Sequence, residues 1–222
     1  MLALVETSIF VLALYTSPES RKHRDEPNSI IARVAIASSV ALGLTVFERV
    51  LGHEWPLLDL SIRPLLLTLI LFLGPLYTQP ELMQLPDFDL QSLRSLVVAP
   101  IVEELVFRYC ISHHTHYSPV YFSLAHLHHG LIRWFSEPSS DRPRIIAATC
   151  LQLSYTLLFG AYTSFLYSRT GRIMDCILVH ALCNHFGFPG DFDWWETHRV
   201  QGSIAYLLGL FLFIALLYPL SS

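Results

Sequence analysis

Two adjacent carboxylates, Glu103 and Glu104, stand inside an apolar run, with Leu96-Val97-Val98-Ala99-Pro100-Ile101-Val102 before them and Leu105-Val106-Phe107-Arg108 after. A carboxylate in hydrocarbon is costly, so an acid placed there marks a functional site and demands a partner. Neighbours on a helix point about 100° apart, so the two acids cannot do the same job. Glu104 and Arg108 stand at i and i+4 and can pair along one face, which makes Glu104 the structural acid. Glu103 is then left to face a cavity, where a partly desolvated carboxylate is a competent general base near neutral pH. The competing reading is a plain intrahelical salt-bridge network.

His180 and Asn184 are also four apart, in Ile177-Leu178-Val179-His180-Ala181-Leu182-Cys183-Asn184, so both project from one helical face. Imidazole and amide N–H groups can donate together to a developing oxyanion, where acyl transfer gains much of its rate. The alternative is a pair of polar groups hydrogen-bonded across a helical bundle. His126 follows Phe122 by four positions, which stacks the two rings on one face and lets His126 hold an attacking water with Glu103. His128, His129, His113, His114 and His116 read as cavity-lining or interfacial groups.

Two other chemistries compete with water activation by carboxylate and imidazole. Cys110, Cys150, Cys176 and Cys183 all fall in apolar segments and read as free core thiols, though Cys183 beside His180 and Asn184 makes a Cys-His-Asn site a minor rival. Glu103, His126 and His180 are all zinc-ligand types, yet the chain has no His-Glu-x-x-His and no Cys-x-x-Cys. An asparagine four residues after His180 suits an oxyanion hole better than a zinc site. The expectation is a site with no metal and no cofactor.

Such residues need apolar helices to position them. The chain of 222 residues is 53% hydrophobic and only 14% charged, with a mean hydropathy of +0.46, too apolar for an ordinary soluble domain. The expected fold is all-α: a polytopic transmembrane bundle of about seven or eight helices around a polar cavity, forming one domain over residues 1–222. The spans fall at 2–15, 30–47, 65–77 (broken at Gly74-Pro75), 92–112, 119–135, 144–167, 173–188 and 200–220. The net charge of −4 is spread through loops, so no nucleic-acid partner is expected. Arg21, Lys22 and Arg24 favour cytosol after the first span, but Arg169 and Arg172 then fall on the opposite side, so charge alone does not fix the orientation.

Glu103-Glu104-x-x-x-Arg108, Phe122-x-x-x-His126 and His180-x-x-x-Asn184, in this order on three apolar helices, resemble the glutamate-dependent intramembrane CAAX prenyl endopeptidases. The run Phe159-Gly160-Ala161-Tyr162-Thr163-Ser164-Phe165-Leu166-Tyr167-Ser168-Arg169-Thr170-Gly171 looks like the eukaryotic, Ras-converting members, as does the phrase from Val102 to Arg108. The resemblance covers about residues 64–189. It implies a multi-pass protein of the endoplasmic reticulum membrane that removes the last three residues of farnesylated or geranylgeranylated CAAX proteins, Ras-type small GTPases among them. It further implies that Glu103 with His126 activates water, that His180 and Asn184 stabilise the oxyanion, and that Glu104 and Arg108 support the site. The chain starts later than is usual for the family, as either a shortened isoform that lacks an initial span or a compact homologue would. Tyr155, Phe159, Tyr162, Phe165 and Tyr167 could shape a prenyl groove or simply pack between helices. An intramembrane zinc metalloprotease, a transporter or a non-catalytic scaffold remain alternatives, the last disfavoured by the intact residue set.

Overall fold

Backbone N–H and C=O groups in segments this apolar must be satisfied within the chain, and the helix does so locally. The computed structural model describes residues 1–21, 25–187 and 199–221. Lys22 and Arg24 of the basic cluster, Phe188 at the end of the seventh expected span, and Pro189 lie outside the described residues. Among those described no strand forms, and an isolated parallel bridge joins Leu57 to Arg172. The all-α expectation holds.

The chain opens with α1 (Leu2–Ala13) and α2 (Pro27–Val50). The next pair, α3 (Ile62–Leu71) and α4 (Leu73–Thr78), breaks at Phe72 rather than at Gly74-Pro75. The reason is steric: the Pro75 ring cannot coexist with a helical carbonyl four residues earlier, at Leu71, so the helix yields one turn ahead of the proline. Asp89 then caps the short α5 (Leu90–Leu93), its Oδ1 accepting from the Ser92 N–H at 2.7 Å. That bond holds the exposed Asp89 carboxyl below its usual range.

From α5 the chain runs through a π-helical stretch (Arg94–Val98), α6 (Ala99–Glu104), a second π-helical stretch (Leu105–Cys110) and α7 (Ile111–His114). The single helix expected over 92–112 is therefore wound at two pitches. The helix expected over 119–135 is two, α8 (Ser118–Ala125) and α9 (Leu127–Ser136), with His126 at their junction. After them come α10 (Arg142–Thr170), α11 (Ile173–Phe186) and α12 (Arg199–Leu220). Among the described residues, α2, α10 with its leading turn (Ser139–Thr170) and α12 are long and apolar enough to cross a membrane, whereas α1, α3 and α11 are apolar but shorter.

Contacts divide the chain into two units, Met1–Pro56 with Ile101–Phe165 and Leu57–Pro100 with Leu166–Ser222. In the first, α1 packs on α2, α7 and α8, while α2 also meets the second π-helical stretch. Its core includes Phe10, Phe107 and Phe122, which meet edge-on with ring centroids 5.9 Å and 5.2 Å apart in turn. Small residues let α10 approach α8 and α9 closely. A Cβ on Gly160 would lie 3.2 Å from Pro119 Cα, and one on Gly130 would lie 2.3 Å from Thr149 Oγ1. The Ser123 hydroxyl adds a bond to the Leu153 carbonyl at 2.7 Å.

In the second unit α12 packs on α3 and α4, and α11 packs on α3. The buried Asp175 carboxylate accepts from the Ser61 N–H at 2.7 Å and from Arg172 Nε at 2.8 Å, tying the start of α11 to the cap of α3. Gly209 lies where a Cβ would stand 2.7 Å from the Ile70 carbonyl oxygen. Backbone cannot swing aside as a side chain can, so Gly209→Ala should lower the melting temperature in detergent, an overpacking cost of about 1–3 kcal/mol. Gly43→Ala is the matched control, because nothing lies within 4 Å of its Cβ position. It should leave the melting temperature unchanged or slightly higher.

Candidate active site

Glu104 is the last residue of α6 and Arg108 lies within the π-helical stretch that follows, both fully buried. Arg108 Nε stands 3.1 Å from Glu104 Oε2, the pairing expected from their spacing. The same Nε donates to Thr163 Oγ1 at 2.7 Å, and Nη1 reaches Ser118 Oγ at 3.5 Å. Ser118 in turn donates to the Phe107 carbonyl. The guanidinium also lies over the Phe122 ring, with Cζ 4.8 Å from its centroid. One cation therefore touches the π-helical stretch, α8 and α10.

Phe122 carries this arrangement to His126. The two ring centroids are 4.8 Å apart, and His126 Nδ1 is 2.8 Å from the Phe122 carbonyl oxygen. A carbonyl only accepts, so Nδ1 carries the proton and Nε2 of the neutral ring is an acceptor. The break between α8 and α9 seats this imidazole at a helix end, half-buried. Glu103, also half-buried, immediately precedes Glu104. Contacts thus link Glu104, Arg108, Phe122 and His126 in one chain within the first unit.

His180 and Asn184 lie on α11 in the second unit. They differ in setting despite their four-residue spacing: His180 is buried and Asn184 exposed. Asn184 Nδ2 donates to the Ser95 carbonyl at 2.9 Å, which engages one of its two N–H groups and fixes the amide's orientation. All four cysteines are free thiols, with Cys110 and Cys176 buried and Cys183 partly so.

Sequence reading missed two groups that hold Arg108. Thr163 falls inside the run that carries the family resemblance, but helical phase alone cannot separate a threonine bonded to its own helix from one that also receives an arginine. Ser118 reads as an ordinary residue at a helix start. It missed as well that His113 and His114, read as cavity-lining or interfacial, face buried carboxylates: His114 Nε2 lies 2.7 Å from Glu48 Oε1. The groups close enough to hold a metal ion, among the described residues, are Glu48-His53-His113 and Glu6-Glu48-His114.

Removing one partner of a buried pair strands the other charge, so Arg108→Met should cost about 3–5 kcal/mol. The double variant Glu104→Gln/Arg108→Met should recover part of that loss, with a coupling of about 0.5–3 kcal/mol in a double-mutant cycle read from reversible unfolding. Additive losses would show that the pair is not coupled.

Residues 87–186, the stretch that carries all of these motifs, match the family described as type II CAAX prenyl endopeptidase, Rce1-like. The chain is similar to human CAAX prenyl protease 2, 35% identical over 189 residues, which is 72% of this chain and 57% of the human protein. The probable CAAX prenyl protease 2 of Schizosaccharomyces pombe is 32% identical over 217 residues, 82% of this chain and 78% of the yeast protein. CAAX prenyl protease 2 of Arabidopsis thaliana is 38% identical over 140 residues, 58% of this chain and 43% of the plant protein. The chain thus spans well under two thirds of the human and plant relatives. No solved structure matches. With identity sustained along most of the S. pombe protein, and with the three motif pairs inside the matched stretch, the chain belongs to the type II CAAX prenyl endopeptidase family.

Proposed function

We propose that this protein is an intramembrane endopeptidase of the endoplasmic reticulum that removes the C-terminal aaX tripeptide from farnesylated or geranylgeranylated CAAX proteins, Ras-type small GTPases among them. The names of its relatives support the substrate class. The observation that carries the mechanism is the bond from His126 Nδ1 to the Phe122 carbonyl, because it presents Nε2 as an acceptor for a water proton.

In this reading Glu103 and His126 bind one water, and Glu103 takes its proton as the oxygen attacks the carbonyl of the prenylated cysteine. A C–O bond forms and the carbonyl electron pair moves onto its oxygen. His180 and the remaining Asn184 N–H donate to that oxyanion. Collapse of the intermediate breaks the C–N bond, and the proton held by Glu103 goes to the departing amine of the tripeptide. Glu104 and Arg108 hold the backbone that carries Glu103 and take no proton. A prenyl chain gathers the substrate at the bilayer, each buried methylene contributing about 0.8 kcal/mol.

Purified protein in liposomes, given a farnesylated CAAX peptide, should release the tripeptide, read by mass spectrometry. Glu103→Gln should abolish release with an unchanged melting temperature, whereas Glu104→Gln should lower release and melting temperature together. No release by the wild type, or full release by Glu103→Ala, would sink the mechanism. Asn184→Ala should reduce kcat by about 10²–10³-fold with little change in KM, the scale of one lost oxyanion donor. The water is activated without a metal, so release per folded molecule should survive thorough chelation.

A further inference from the structure

The first unit holds a second polar cluster that the proposed hydrolysis does not use. Glu6 on α1 and Glu48 on α2 are 1% and 0% exposed. The two carboxyls face each other and histidines: His114 Nε2 lies 2.7 Å from Glu48 Oε1 and 3.6 Å from Glu6 Oε1. On the other side of Glu48, Oε2 is 3.5 Å from His53 Nε2 and 3.7 Å from His113 Nδ1. The His53 and His113 rings are stacked, with centroids 4.1 Å apart. Among the described residues no donor group bonds either oxygen of Glu6 or Oε2 of Glu48, and the two carboxyls lie close enough to share a proton. The neighbouring Arg49 turns away, to the His53 carbonyl and the exposed Glu54.

Two buried carboxylates with no guanidinium or ammonium beside them among the described residues require a proton or a cation between them. The donor set decides which cation. Two carboxylate oxygens and an imidazole nitrogen suit a first-row divalent ion, and zinc above all, whereas calcium and magnesium favour oxygen alone. The ligand atoms of Glu6, Glu48 and His114 all lie within 4.8 Å of one another. Zinc bonds of about 2.0–2.2 Å set tetrahedral neighbours about 3.4 Å apart, between the 2.7 Å and 3.6 Å that separate His114 Nε2 from Glu48 Oε1 and Glu6 Oε1. His53 and His113 would then steady Glu48 through its other oxygen, the outer support that ligating carboxylates ordinarily have.

We propose that Glu6, Glu48 and His114 bind one zinc-class divalent ion that pins α1, α2 and α7 together, separate from the residues assigned to hydrolysis. The full-length protein, purified in detergent and exchanged into metal-free buffer after exposure to zinc, should carry about one zinc per chain by mass spectrometry of the metal. Chelation should lower its melting temperature, and zinc added back should restore it. Glu6→Gln and His114→Gln should each lose the bound zinc and the zinc-dependent rise in melting temperature, while Glu103→Gln should keep both. His114→Gln is the milder change, and it keeps the test readable should Glu6→Gln fold poorly. Wild-type protein that binds no zinc, or zinc that persists in both variants, would overturn the site. So would a higher melting temperature in Glu6→Gln with no zinc response in the wild type, the mark of two carboxylates sharing a proton.

Discussion

A charge withdrawn from water must be answered inside the protein, and in the first unit the Arg108–Glu104 contact answers it. Arg108 is among the largest side chains that are wholly buried, and its guanidinium touches Glu104, Thr163, Ser118 and Phe122. Buried ion pairs add little net stability once desolvation is counted. What this one supplies is register. Thr163 comes from α10 and Ser118 with Phe122 from α8, so their helices are indexed against the glutamates by one planar cation. His126 inherits its place through Phe122, by ring contact and by the bond to the Phe122 carbonyl.

Burial along the chain explains why this segment is wound as it is. Val106, Phe107, Arg108, Tyr109 and Cys110 are consecutive and all buried, so the stretch is covered on every side rather than along one stripe. An α-helix with a single buried face cannot do that. Six residues of α-helix, Ala99–Glu104, lie between two π-helical stretches. π-Helical turns are rare and gather at functional sites, where the extra residue re-aims the side chains beyond it. Here the second such turn begins directly after Glu104, and the residue it carries inward is the arginine that Glu104 needs.

What could be read from the residues was what spacing determines. The Glu104–Arg108 pair follows from i and i+4, and the contact between the Phe122 and His126 rings from the same rule, although they meet tilted rather than stacked. Helix class and most spans follow from apolar runs. A change of helical pitch leaves no mark on composition, so the π-helical turns were invisible, as was the break at His126, which no proline or glycine announces. Glu48 escaped notice because Arg49 stands next to it and the two look like an ordinary charged helix end. Only the fold shows that Glu48 turns inward and Arg49 outward. His113 and His114, taken for cavity-lining or interfacial groups, acquire meaning only once α1 and α2 bring acids against them.

The same unit therefore holds buried carboxylates by two different means, and the difference bears on which of them can change state. A guanidinium keeps its charge at any physiological pH, so Glu104 has a permanent counter-ion. An imidazole, by contrast, carries a charge only when protonated. Glu6 and Glu48, with imidazoles beside them, thus have no permanent counter-ion, and the proton or proposed zinc-class ion that balances them can vary with what is available. Proton transfer in hydrolysis needs neither condition. It needs a carboxylate that is charged before the attack and neutral after it, beside an imidazole whose tautomer is already set. In the proposed hydrolysis Glu103 fills that place: it is next to a glutamate whose charge is already balanced, and the Phe122 carbonyl holds the His126 tautomer.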